Sequence, residues 1–136
     1  GNVIAVEECD PAETDKYGIV GVGESAGPDA FRITSMVEKP KPADAPSNLY
    51  INGRYILQPE VFDLLGTQQR GAGNEIQLTD AMLRLSERQP FYGSRYAGRT
   101  YDCGTKLGFL AANVAFALKR DDLAGPFREE IRKLLG

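Results

Sequence analysis

Close to its start the chain carries Val3-Ile4-Ala5-Val6, an unbroken apolar run rich in β-branched residues. Such a run suits a strand covered on both faces, which restricts the fold to a sheet with material layered on each side. Chain termini usually lie at the surface, so a buried strand this near Gly1 leads us to expect further sequence upstream. The 136 residues suffice for one modest domain with a genuine core, taken as residues 1–136.

Downstream, Tyr17 to Val22 reads as a second strand. Gly18 inside it marks either a bulge or a close approach of the backbone to a ligand. In the third strand Phe31, Ile33 and Val37 alternate with Arg32, Thr34 and Glu38, until Pro40 and Pro42 stop it. Asn48 to Leu57 alternates as a fourth strand. Pro59 to Gly66 predicts a short helix with Val61, Phe62, Leu64 and Leu65 on its apolar face. The turn Gly71-Ala72-Gly73-Asn74 precedes a helix from Leu78, with Thr79 or Asp80 as its cap, which ends at Gln89-Pro90. Phe91 to Tyr96 predicts a strand, and Arg99 to Asp102 a short extended piece. Thr105 then caps a helix whose core face is Leu107, Leu110, Ala111, Val114, Ala115 and Leu118. Gly125-Pro126 breaks the chain before an amphipathic helix built on Phe127, Ile131, Leu134 and Leu135.

The chain has no histidine, which removes Ser-His-Asp and Cys-His catalysis and most zinc sites. A net charge of -3 and a pI near 5.0 give no electrostatic reason to expect nucleic acid. Cys9 and Cys103 form no redox or metal spacing, which assigns a reducing, cytoplasmic setting, and no apolar run is long enough to cross a bilayer. What remains for chemistry is carboxylate, lysine, arginine, backbone amide or a hard cation. At the end of the third strand Glu38 and Lys39 stand side by side. A carboxylate accepts two hydroxyl hydrogen bonds and a lysine suits phosphate, so the pair fits a phosphorylated sugar. The competing reading is an exposed loop start with a solvated ion pair. Successive strand residues point to opposite faces, so the two side chains diverge unless the strand bends there. Asp102 falls between a strand and a helix, where open α/β sheets place ligands; the alternative is a turn residue bonding to nearby backbone amides.

Six segments, taken in order, carry a resemblance: Lys16-Tyr17-Gly18-Ile19-Val20, Val37-Glu38-Lys39-Pro40, Pro46-Ser47-Asn48-Leu49, Gly53-Arg54-Tyr55-Ile56-Leu57, the block from Gly71 to Asp80, and Tyr101-Asp102-Cys103-Gly104-Thr105-Lys106. Together they resemble the C-terminal half of the bacterial UTP-glucose-1-phosphate uridylyltransferases, over essentially the whole chain. The Gly71 to Asp80 block favours the uridylyl enzymes over their thymidylyl relatives. The resemblance implies an α/β fold, the C-terminal part of a Rossmann-like sugar nucleotidyltransferase with a mixed sheet and flanking helices. It also implies the formation of UDP-glucose and pyrophosphate from UTP and glucose 1-phosphate. On it, Glu38 holds glucose hydroxyls, Lys39 the phosphates and Gly18 offers backbone to the sugar. Ile51 and Tyr55 fall on sugar-pocket positions, and Asp102 is a ligand for magnesium. Glu75 and Asp80 belong to the matched block without a defined role. The family's basic, glycine-rich nucleotide loop and its second metal-binding aspartate belong to an N-terminal half this sequence lacks, so the chain alone is expected to be inactive. A sheet cut in this way would expose an edge and need cover from the missing half or from a second copy in a homo-oligomer. The alternatives are a non-catalytic module that binds sugar phosphates or drives oligomerisation, and a thymidylyl or adenylyl relative.

Overall fold

A computed structural model describes residues 1–67 and 76–136. The Gly71–Asn74 turn and Glu75 lie outside the described residues. The chain forms two compact units, Gly1–Tyr96 and Ala97–Gly136.

The first unit contains β1 (Asn2–Glu8), β2 (Gly18–Ser25), β3 (Ala30–Glu38), β4 (Leu49–Ile56), α1 (Glu60–Thr67), α2 (Leu78–Ser86) and β5 (Phe91–Arg95). The strands close into a ring in the order β1-β4-β2-β3-β5. β1 and β5 run parallel, and the other neighbours are antiparallel. Closure removes the free edge that the sequence led us to expect among the described residues. The alternation in β1 is also sharper than its sequence: Ile4 and Val6 are fully buried, while Val3 and Ala5 are only half-buried. Ile4, Val6, Val20, Phe31, Ile33, Leu49 and Phe91 form one core with Val61 and Leu64 of α1 and Ala81, Met82 and Leu85 of α2. Phe31 packs so closely on β5 that a Cβ at Gly93 would lie 2.4 Å from its Cζ. Glycine is required at that crossing.

Asn2 is completely buried at the mouth of the ring, yet its amide is satisfied on both sides. Its Nδ2 donates to Gln89 Oε1 at 3.1 Å, and its Oδ1 accepts from the Gln58 backbone N–H at 2.8 Å. This polar plug ties the start of β1 to both the β4–α1 connection and the entry to β5. Asn2→Ala would strand the Gln58 amide, and we expect a loss of about 1–3 kcal/mol in denaturant unfolding. An unchanged midpoint would mean that the plug contributes nothing.

Two departures in β4 follow from its turn chemistry. Val6 faces Ile51 and Ile4 faces Tyr55, so the three residues 52–54 of β4 oppose the single Ala5 of β1. Gly53, at φ +81°, absorbs this excess, because the left-handed region suits glycine. α2 begins at Leu78, so Thr79 and Asp80 lie within its first turn rather than capping it. α1 continues through Gly66 to Thr67 and leaves Phe62 largely exposed.

In the second unit, an irregular loop replaces the expected extended piece at Arg99–Asp102, and α3 (Lys106–Ala117) and α4 (Ala124–Leu135) follow. Thr105 caps α3 as its sequence predicts, accepting from the Gly108 N–H at 3.0 Å. Gly125-Pro126 lies inside the first turn of α4 rather than breaking the chain, a place proline tolerates because its missing N–H would be unpaired there anyway. The expected core face of α3 is not a core. Leu107 is 79% and Leu110 61% exposed, and Ala112 is the residue of α3 that is buried. The six predicted residues, with Arg99 and Tyr101, line an open apolar groove. Helical periodicity finds such a stripe but carries no information about what covers it. Among the described residues no helix is long and apolar enough to cross a membrane.

Candidate functional site

The β2–β3 hairpin builds the site. Gly18 pairs with Glu38 across its open end, and the register irregularities of β2 fall beyond Gly21, so Gly18 is not a bulge. A Cβ there would lie 3.1 Å from Glu38 Oε2 and 3.5 Å from Ile51 Cδ1. A side chain at residue 18 would therefore occupy the space that these groups enclose. That space is a small, partly open cleft lined by Gly18, Met36, Val37, Glu38, Ile51, Thr79, Met82 and Leu83.

At the end of β3 the backbone does bend. Lys39 adopts φ +47°, the one non-glycine positive φ among the described residues. This turn brings Lys39 Nζ to 3.9 Å from Glu38 Oε1, the two side chains remaining 63% and 61% exposed. An ion pair this open contributes little to stability. The strained backbone is held from below: the Lys39 N–H donates to Tyr17 O at 2.9 Å, and the Tyr17 ring lies 4.6 Å from that of Tyr50. The Tyr50 hydroxyl in turn donates to Glu7 Oε2 at 2.9 Å, and burial, reinforced by this bond, pushes its pKa well up.

Tyr55 lies further along β4, beside a second, apolar groove that it shares with Leu57, Val61, Phe62, Leu65, Ile76 and Leu78. Burial raises its pKa, and the charge of Glu38 raises it further, so the phenol remains a neutral donor. The structure thus gathers Gly18, Glu38 and Ile51 around one cleft, with Lys39 beside Glu38 and Tyr55 within its electrostatic reach. Sequence reasoning missed Met36, Thr79, Met82 and Leu83 in the lining. The spacing of residues 79, 82 and 83 at i, i+3 and i+4 places them on one helical face, a signal that was there to be read.

Asp102 is exposed in the loop before α3. Its Oδ1 accepts from the Gly104 N–H at 2.9 Å, the turn bond expected of an aspartate there, and its carbonyl accepts from Thr105 Oγ1 at 3.3 Å. That carbonyl also packs against α3, where a Cβ at Gly108 would lie only 1.9 Å from it. A carboxylate offers about four acceptor positions, so the turn bond leaves capacity for a cation. Among the described residues no three acidic or thiol side chains gather into a metal cluster. One carboxylate supplemented by phosphate oxygens and water nevertheless fits magnesium, which usually takes only one or two from a protein.

Comparison with known proteins places this geometry in context. The model of the family described as Nucleotidyl transferase matches residues 2–118. The chain is 44% identical over 133 residues to the UTP-glucose-1-phosphate uridylyltransferase of Staphylococcus epidermidis, covering 98% of this chain and 46% of the relative. It is 45% identical over 133 residues to UTP-glucose-1-phosphate uridylyltransferase 2 of Staphylococcus saprophyticus, with the same coverage. Among solved structures, a UTP-bound UGPase from Acinetobacter baumannii superposes with a TM-score of 0.85 at 36% identity, covering 98% of this chain and 46% of that one. A UDP-glucose pyrophosphorylase complexed with UDP-glucose gives 0.76 at 39% identity, covering 88% and 45%. The chain spans about half the length of the curated relatives it matches. With the family model matched over most of its residues, and with the mixed sheet and flanking helices described above, the chain belongs to the nucleotidyl transferase family.

Proposed function

We propose that this chain is the sugar-phosphate-holding part of a UTP-glucose-1-phosphate uridylyltransferase. The observation that carries the reading is the meeting of Gly18, Glu38 and Ile51 around one small cleft, with the Lys39 ammonium beside Glu38. In the proposed reaction an oxygen of glucose 1-phosphate attacks the α-phosphorus of UTP, pyrophosphate leaves and UDP-glucose forms. Transfer of this kind relies on alignment and charge neutralisation more than on covalent help, which suits a chain without histidine. Glu38 accepts from two sugar hydroxyls, and Lys39 pairs with the phosphate. Gly18 leaves room for the ring, Ile51 supports its apolar face, and Tyr55 donates as a neutral phenol. Magnesium, with Asp102 and phosphate oxygens as ligands, would offset the charge gathered at the reacting phosphates. The setting proposed is cytoplasmic, consistent with the free thiols Cys9 and Cys103. The proposed partners are the remaining half of such an enzyme and a second copy of the protein, and the uncovered apolar residues of α3 support the need for cover.

The test is reconstitution. The chain is mixed with the part of the Staphylococcus epidermidis relative that it does not match, and UDP-glucose is followed after addition of UTP, glucose 1-phosphate and magnesium. We expect no turnover from the chain alone and measurable turnover from the mixture. Appreciable turnover by the chain alone would overturn its assignment as a part, and activity that survives both Glu38→Ala and Lys39→Ala would remove the cleft from the site.

A further inference from the structure

The cleft around Glu38 is apolar on most of its walls, with Met36, Val37, Ile51, Met82 and Leu83 forming them. Among the described residues, only Glu38 and Thr79 bring polar side chains to it. Thr79 lies in the first turn of α2, which lines the cleft together with the hairpin that supplies Glu38, and is half-buried. Its hydroxyl makes no hydrogen bond to the described residues. Its position is held by its neighbours: Met82, one turn on, is completely buried in the core, and Ala81 beside it is too. A hydroxyl beside a small apolar cleft, without a partner among the described residues, has its hydrogen-bonding capacity open to a ligand.

Resting on the sugar-pocket reading above, we propose that Thr79 is a second hydroxyl-reading contact and sets which hexose 1-phosphate the cleft accepts. Glu38 only accepts hydrogen bonds, so it grips any sugar that presents a suitable pair of hydroxyls. Thr79 both donates and accepts, comes from α2 rather than from the hairpin, and would reach a different ring position. A sugar that lacks the hydroxyl there, or holds it in the other configuration, leaves the Thr79 group unpaired in a site closed by methionine and leucine. Sites built to bond a substrate hydroxyl reject analogues lacking it far better than apolar pockets reject an added group.

The experiment compares wild type, Thr79→Val, Thr79→Ser and Glu38→Gln in the intact protein that carries this chain, with glucose 1-phosphate, its single-position deoxy analogues and galactose 1-phosphate. Thr79→Val keeps the shape and removes the hydroxyl. We expect its KM for glucose 1-phosphate to rise about three- to tenfold with kcat nearly unchanged, the effect of losing one neutral hydrogen bond. For one deoxy analogue the valine variant and wild type should have equal KM, which identifies the hydroxyl that Thr79 reads. Thr79→Ser, which retains the donor, should stay close to wild type and serves where the valine variant folds poorly. A Thr79→Val enzyme with wild-type KM for every sugar, alongside a Glu38→Gln enzyme with raised KM, would overturn this proposal alone. An unchanged KM in Glu38→Gln would overturn the sugar-pocket reading and this inference with it.

Discussion

Lys39→Ala is expected to lower kcat/KM for glucose 1-phosphate by about 10²- to 10³-fold in the intact protein, the usual effect of removing one preorganised group that meets developing charge. Lys39 carries no evident structural load: its side chain is 63% exposed and its ion pair with Glu38 spans 3.9 Å. Its backbone, however, is strained at φ +47°. Such strain costs on the order of 1–3 kcal/mol and persists where surrounding structure imposes it. Lys39→Gly separates the two properties. It should be as inactive as the alanine variant, yet unfold at the same temperature or higher, because glycine adopts this conformation without a steric penalty. Thermal unfolding and initial-rate kinetics on both variants check this. Near-wild-type rates in Lys39→Ala would strike the lysine from the site, and a lower Tm in Lys39→Gly would show that the side chain supports the fold.

The second large effect is expected far along the chain, at a residue that contacts no substrate in the proposed reaction. Gly108→Ala places a Cβ 1.9 Å from the Asp102 carbonyl oxygen. Non-bonded contacts settle at about 3.5–4.0 Å, so the loop must withdraw by roughly 1–2 Å. A displacement of that size around a proposed metal-ligating carboxylate is enough to cost about 100-fold in kcat. The magnesium concentration giving half-maximal rate should rise with it. Gly125→Ala is the control, since a Cβ there meets nothing within 4 Å. A Gly108→Ala enzyme with wild-type kcat and magnesium dependence would mean that the position of Asp102 is immaterial to the chemistry.

What the sequence disclosed was what local chemistry decides. Proline after Lys39 marked the end of β3, Thr105 was recognised as a cap, and alternating parity located the third and fourth strands to within a residue or two. The association of Gly18 with Glu38 was visible only through the resemblance, because their pairing depends on hairpin register across the intervening residues. Ring closure was not legible at all: the β5–β1 pairing joins Phe91 to Asn2, and no local pattern records so distant a partner. α3 was misread for a complementary reason. Leu107, Leu110 and Val114 recur at helical spacing, which describes a stripe without stating whether protein or solvent lies against it. Thr79 was passed over because an N-terminal threonine invites a capping role, and the start of α2 at Leu78 removes that role.

One join of the ring differs from the rest. β2 and β4 meet through the single residue pair Ile19 and Tyr50, supplemented by Ser47, whose hydroxyl donates to Val20 O at 2.6 Å and accepts from the Leu49 N–H at 3.0 Å. The residues next to that pair are Gly18 and Ile51, which both line the cleft. The barrel is therefore most thinly stitched beside the cleft, and slackening that one seam would reshape the cleft while every longer ladder stays zipped.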